Sequence, residues 1–224
     1  MNQLLSFFVL ILMNFNWLYA QDKTTIIYIG DPMCSWCYGF APEISKIKEH
    51  YPNFDFRLIM GGLRPNGTET MNDLSSFLKH HWEDVNKASN QPFKYDILKD
   101  KEFIYDTEPA CRATIVARKM NPEKEFEFFK AIQTAFYAKN KNTNSVVTYL
   151  EIAESIGLDK SKFKELFESV ELKTQIKEDF ELARSMGITG YPAVIISENG
   201  KLTIVSKGYL SSSNLIKNIN KVIK

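Results

Sequence analysis

The chain is poor in cysteine, with only Cys34, Cys37 and Cys111 among 224 residues. Three is too few, and the wrong parity, for a disulfide-stapled scaffold. One C-x-x-C, with no second C-x-x-C or C-x-x-H to add ligands, also speaks against a four-ligand zinc site. Charge of one sign is missing as well: 28 Lys and Arg face 27 Asp and Glu, a formal net charge of +1. That balance leaves no basic footprint for nucleic acid, and partners are not recruited by bulk charge. Repeats, linkers and low-complexity tracts are absent. What remains is 44% hydrophobic, with 16 Phe and 10 Tyr, enough for one sizeable core or one domain carrying a large insertion.

Charge is lacking altogether in residues 1–20, which carry the apolar run Leu4 to Met13 and end at Ala20 before Gln21-Asp22-Lys23. We read them as a secretory signal peptide cleaved after Ala20, which makes the protein exported, in the periplasm. The n-region has no Lys or Arg, and Leu18 is large for its place before the cut. The competing reading is an uncleaved membrane anchor, although the run is short and broken by Asn14 and Asn16. Both readings put the rest of the chain outside the cytoplasm.

Two of the three cysteines fall in Asp31-Pro32-Met33-Cys34-Ser35-Trp36-Cys37-Tyr38-Gly39-Phe40-Ala41-Pro42. A β-branched run, Thr24 to Ile29, precedes this stretch, and a helical pattern with Ile44 and Ile47 follows it. The cysteines therefore sit at a strand-to-helix junction, where free backbone N–H groups and the positive end of the helix dipole favour an anion. Such a position lowers a thiol pKa from about 8.5 into the range of roughly 3.5 to 7.5, and the thiolate is the nucleophile of disulfide exchange. Cys34 is expected to be the exposed attacking thiol. Cys37, on the same helix face, is expected to resolve the mixed disulfide. A purely structural disulfide is the plainer alternative.

Along the chain, Thr24–Ile29 reads as a central strand buried on both faces, the next helix runs to about His50, and Phe54–Met60 alternates as a second strand. Strand, helix, strand with a short connection is a βαβ unit with parallel strands. Gly61-Gly62-Leu63-Arg64-Pro65-Asn66-Gly67 breaks regular structure beside the cysteine turn. From about Asn72 to Met186 the patterns are helical. Asn121-Pro122 starts one helix with Phe126, Phe129, Ile132 and Phe136 on a face. Further stripes are Val146, Leu150, Ala153; Phe163, Leu166, Phe167, Val170; and Leu172, Ile176, Phe180, Ala183, the last stopped by Gly187. Strands return at Pro192–Ile196 and Leu202–Val205, joined by an Asn199-Gly200 hairpin signal. Ser211 or Ser212 caps a last helix with Leu215, Ile216, Ile219 and Val222.

A βαβ unit opening with C-x-x-C and a ββα unit opening with Gly-Tyr-Pro resemble the thioredoxin fold, an α/β class. A large all-helical insertion between them resembles the DsbA family of thiol–disulfide oxidoreductases. The segments Asp31–Gly39, Gly61-Gly62-Leu63-Arg64, Thr107-Glu108-Pro109-Ala110-Cys111-Arg112 and Gly187-Ile188-Thr189-Gly190-Tyr191-Pro192-Ala193 look most like the FrnE-like branch. The expected organisation is a thioredoxin-like domain from residues 21–62 and 188–224, with an inserted helical domain at 63–187. The resemblance implies a cis Tyr191–Pro192 bond facing the disulfide, where the backbone of Tyr191 pairs with an extended substrate segment beside Cys34. It also implies a redox-active Cys34–Cys37 couple needing no organic cofactor or metal. Partners would be cysteine-containing substrate proteins and a membrane thiol oxidant or reductant that recycles the dithiol. Strongly oxidising members carry Pro-His between the cysteines; Ser35-Trp36 stands here, which leaves the oxidising strength and the direction of electron flow open.

Trp36, Tyr38 and Phe40 are candidates for an apolar contact surface, though core packing would account for Phe40 as well. Cys111, with Arg112 as a nearby charge, is either buried and inert or an accessory thiol near the start of a helix capped by Thr107. His80-His81 points two imidazoles about 100° apart on a helix, which suits a solvated face better than a metal. A monomer is expected. Two other functions fit the same architecture: a kappa-type glutathione-dependent transferase or isomerase, which would use a single nucleophile, and a chaperone-like binding protein whose disulfide is structural.

Overall fold

The computed structural model describes residues 23–223. The expected signal peptide and its competing membrane anchor, residues 1–20, lie outside the described residues. Among the described residues no helix is long and apolar enough to cross a membrane.

Strand β1 (Thr25–Gly30) is β-branched and buried along most of its length. Its side chains alternate between two cores. Ile26 and Tyr28 face a large aromatic core, and Ile27 and Ile29 face a smaller one with Ala183, Ile188 and Ile195. This is the two-faced burial expected of a central strand. Helix α1 (Ser35–His50) carries Cys37, Phe40, Ile44 and Ile47 on its buried side, then the chain returns as β2 (Asp55–Met60), parallel to β1. The second half supplies β3 (Ala193–Glu198) and β4 (Lys201–Lys207), antiparallel to one another, with β3 also antiparallel to β1. The sheet order is β2-β1-β3-β4. Asn199 and Gly200 both take positive φ, 50° and 74°, so the hairpin turn is the primed type that asks for this pair. Helix α8 (Ser212–Asn220) closes the fold by burying Leu215 and Ile219.

Between the halves run α2 (Met71–Ser89), α3 (Glu108–Met120), α4 (Glu125–Gln133), α5 (Val146–Ser155), α6 (Lys160–Glu168) and α7 (Val170–Ser185). The α/β thioredoxin fold with helical content between βαβ and ββα is therefore present. Three details differ from the expectation. Asn121 caps a short 3₁₀ turn, Pro122–Lys124, before α4 begins. Beyond α4 the chain widens into a π-helical turn, Thr134–Ala138, which keeps Phe136 and Tyr137 in the core. Val170, read as the end of an apolar stripe, is 78% exposed. Ser169 ends α6 and its hydroxyl accepts from the Leu172 N–H to start α7, so Val170 becomes a first-turn residue facing solvent.

A buried ion network fixes the helices to the sheet. Arg118 on α3 donates to both Asp179 oxygens at 3.0 and 2.9 Å, to the Leu58 carbonyl at 2.8 Å and to Glu125 at 2.6 Å. Asp179 also accepts from the Met60 N–H at 2.9 Å. One guanidinium serves two carboxylates. Burial pushes Glu125 up to about 7, with Arg118 pulling it down and the Asp179 carboxylate adding to the rise.

Candidate active site

Cys34 stands at the N-cap of α1 with an extended backbone, and Ser35 begins the helix. Its N–H donates to the Asp31 carbonyl and its own carbonyl accepts from Tyr38, both at 3.0 Å. The first turn of α1 contains no acidic residue to oppose an anion there. Expected to be exposed, Cys34 retains only 6% of its surface, while Cys37 retains none. The correction has a structural cause: the cysteine turn is covered by the start of β3, and the Cys34 thiol points at the Tyr191 carbonyl, 3.6 Å away. The Tyr191–Pro192 bond is cis. Cys34 and Cys37 lie within hydrogen-bonding reach of each other, and burial, with Cys34 beside it, pushes the Cys37 thiol well up. All three cysteines are free thiols.

The peptide before Cys34 is gripped from the helical segment. The Met33 carbonyl accepts from the Tyr137 hydroxyl at 2.6 Å and also from the Tyr105 hydroxyl. Thr143 donates to the Met33 sulfur at 3.4 Å. On the other side, the fully buried Asp31 carboxylate accepts from the N–H groups of Met33 at 2.8 Å and Leu63 at 2.7 Å. It thereby ties the cysteine turn to the Gly61-Gly62-Leu63 loop. Gly61 is required there, since a Cβ at this position would meet the Tyr191 ring at 2.1 Å, and its carbonyl accepts from the Tyr191 hydroxyl at 2.5 Å.

Cys111 is fully buried and donates to Asp31 at 3.3 Å, so the third thiol is both buried and adjacent to the site. Burial raises its pKa well above the usual value, and the Asp31 charge adds to this. The two accessory readings were alternatives in the sequence and coincide in the structure. Arg112 does not supply the expected charge. Its guanidinium pairs with Glu108 at 2.7 Å, donates to the Phe167 carbonyl and lies 4.0 Å from the Phe167 ring centroid. Thr107 stands at the N-cap of α3 as expected, but its side chain makes no capping bond: its hydroxyl accepts from the Arg64 N–H at 3.0 Å, and Asp106 accepts from the Glu108 N–H.

Trp36 is half-buried at the rim, packed edge-on against His81 at 5.9 Å and tilted against Tyr209 at 5.9 Å. His81 in turn stacks at 5.5 Å on Phe77, which is 65% exposed. Tyr38 and Phe40 are core residues: Tyr38 stacks on Tyr137 at 4.9 Å and donates to the Pro92 carbonyl at 2.9 Å, and Phe40 packs on Tyr28 of β1 at 5.9 Å. Sequence reasoning missed Phe77 and the role of His81. The helix period does place 77 and 81 together, but nothing local placed that face beside Trp36.

A dithiol at the start of the helix that follows a central strand, in a sheet of order β2-β1-β3-β4, gives the chain a thioredoxin-type architecture. The particular family follows from comparison. The chain belongs to the DSBA-like thioredoxin domain family, matched over residues 25–215. Its fold superposes on a candidate protein disulfide isomerase from Nitrosomonas europaea with a TM-score of 0.83 and 34% identity, covering 89% of this chain and 97% of that one. The cytosolic disulfide reductase DsbM of Pseudomonas aeruginosa shares the fold at TM-score 0.72 and 24% identity, with 81% and 89% covered. Among curated proteins, the ClpXP adapter protein SpxH of Halalkalibacterium halodurans is 20% identical over 175 residues, 74% of this chain. The chain spans about half of that relative's length, 56%.

Proposed function

We propose that the protein is an exported enzyme that exchanges disulfides with cysteines of substrate proteins through the Cys34–Cys37 couple. One observation carries the reading: the Cys34 sulfur lies at the helix N-terminus, 3.6 Å from the carbonyl of Tyr191. An extended substrate strand pairing with the Tyr191 backbone would bring its own cysteine to Cys34. Cys34 is the attacking sulfur and Cys37 the resolving one. Pro192 withholds no N–H that the strand needs at this place. Trp36, with His81 and Phe77, offers apolar residues beside the substrate cysteine a surface to pack on.

The redox couple is the two cysteines themselves, without an organic cofactor or a metal. We assign recycling to a membrane thiol oxidant or reductant, and the FrnE-like branch on the four motifs named above. Export rests on the uncharged apolar segment at residues 1–20. A reduced peptide dithiol and an oxidised peptide disulfide, each offered to residues 21–224, test the reading. Exchange in either direction, lost in Cys34→Ser, is expected; exchange that survives Cys34→Ser rejects the assignment. Fractionation of cells expressing the full chain tests export, and a cytoplasmic, uncleaved product would overturn it.

A further inference from the structure

Tyr28 is a buried phenol with no evident structural use for its hydroxyl. It sits in the middle of β1, opposite Leu58 on β2 and Val194 on β3, and is fully buried. Its ring packs on Phe40 at 5.9 Å, Phe129 at 5.8 Å and Phe126 at 6.3 Å. Those contacts account for the ring but not for the oxygen, which makes no well-formed hydrogen bond and has the Cys37 sulfur as its polar neighbour. A buried hydroxyl without a partner costs about 1–3 kcal/mol, and phenylalanine would fill the same space. The chain even keeps room for the oxygen: a Cβ on Gly30 would come within 2.8 Å of it.

The polar group that the hydroxyl faces is the Cys37 sulfur on the inner side of α1. Around Cys37 the titratable groups are Tyr28 from β1, Asp31 and Cys34 from the cysteine turn, and the Tyr191 phenol ahead of β3. Asp31 is already an acceptor for at least three donors, and it repels negative charge on Cys37. Tyr191 gives its proton to the Gly61 carbonyl. Tyr28 therefore holds the one O–H among these groups that is uncommitted.

We propose that Tyr28 is the hydrogen-bond donor that stabilises the Cys37 thiolate during exchange. The inference rests on the exchange reading above. When a substrate thiolate attacks Cys34 of the disulfide, a bond forms between the two sulfurs, the Cys34–Cys37 bond breaks, and its electron pair stays on Cys37. That thiolate is born in a buried place, where an unsolvated charge is costly. The Tyr28 O–H donates to it and keeps its own proton. In the reverse step Cys37 gives its proton to solvent, the thiolate attacks Cys34 and re-forms the bond, the substrate thiolate leaves and takes up a proton from solvent, and the Tyr28 hydrogen bond is given up. Burial pushes the Cys37 thiol up, so a donor that offsets this acts on the steps that form or consume its thiolate.

The test uses mature wild type and Tyr28→Phe, reduced and then mixed with saturating oxidised glutathione, quenched in acid and read by mass. The first-order conversion of the Cys34–glutathione mixed disulfide to the Cys34–Cys37 disulfide is the resolving step. Tyr28→Phe is expected to slow it about tenfold, the loss of one hydrogen bond to a charged group, and to move its pH–rate profile up by about one unit. Thermal stability should not fall, because the lost oxygen makes no well-formed hydrogen bond. Should the phenylalanine variant fail to fold, Gly30→Ala displaces the same oxygen with the phenol retained, and the same slowing is expected. An unchanged resolving rate and pH profile in a folded variant would overturn the proposal alone. A wild type that forms no Cys34–Cys37 disulfide would overturn the exchange reading, and this inference with it.

Discussion

Two buried aspartates, Asp31 and Asp179, tie backbone N–H groups at and just after the end of β2 to other parts of the fold, and they do it in opposite ways. Asp179 holds the Met60 N–H and is neutralised by Arg118, which bridges on to Glu125 and Leu58. Asp31 holds the Leu63 N–H, three residues later, with no cation: its donors are uncharged, among them two amides, the Cys111 thiol and the Thr107 hydroxyl. Burial accordingly raises the Asp31 pKa, and its hydrogen bonds only partly offset the rise. The frame uses a full ion pair away from the dithiol. Among the described residues no ion pair reaches Asp31, and Arg112, next to Cys111, is turned onto Glu108. Anion stabilisation at the dithiol is thus left to the helix N-terminus and to uncharged donors.

The strongest way to break this contrast is Arg118→Met. It strands two buried carboxylates and should cost about 3–5 kcal/mol in urea unfolding, with exchange by the folded fraction intact. Asp31→Asn comes next. Its amide can replace only one of the two acceptor oxygens, an expected loss of about 1–3 kcal/mol at low pH. A carboxyl whose folded pKa lies above its unfolded value contributes stability that is present below the unfolded pKa and is lost as pH rises through the folded one. The advantage of wild type over Asp31→Asn should therefore shrink as pH rises above about 4, and an advantage that grew would contradict the burial account.

Glu125 sharpens the comparison within the ion network. Its folded pKa of about 7 exceeds the unfolded value, so wild type should lose stability relative to Glu125→Gln between pH 5 and 8. A relative shift in Tm on the order of 2–4 °C is expected by calorimetry. Trp36→Ala and Phe77→Ala should raise KM a few-fold for peptides with apolar residues beside the cysteine and leave the reaction with glutathione unchanged. Cys111→Ala should do least. It removes one weak donor to Asp31 and should leave the disulfide equilibrium where it was.

Much of this was legible from the chain. The β1–α1–β2 order, the Asn199-Gly200 turn, and the α7 stripe of Leu172, Ile176, Phe180 and Ala183 stopped at Gly187 follow from local chemistry, and the structure has them. The cysteine pair at a helix start was legible for the same reason. What surrounds the pair was not. Tyr105, Tyr137 and Thr143 reach Met33 from 72, 104 and 110 residues away. Tyr28 reads as one more apolar strand residue until the helix above it is placed. Asp31 was quoted in the motif without a role, because its partners lie on two other segments. Tyr38 was assigned to a surface and lies in the core, and Phe40, for which surface and core were both open, lies in the core too.

The most direct measurement is a redox titration of residues 21–224 against glutathione buffers, with acid quenching, alkylation and mass assignment of each cysteine. The account predicts one two-electron transition between about −120 and −270 mV, with Cys34 and Cys37 oxidising together and Cys111 remaining a free thiol throughout. A transition that includes Cys111, or none at all across that range, would contradict it.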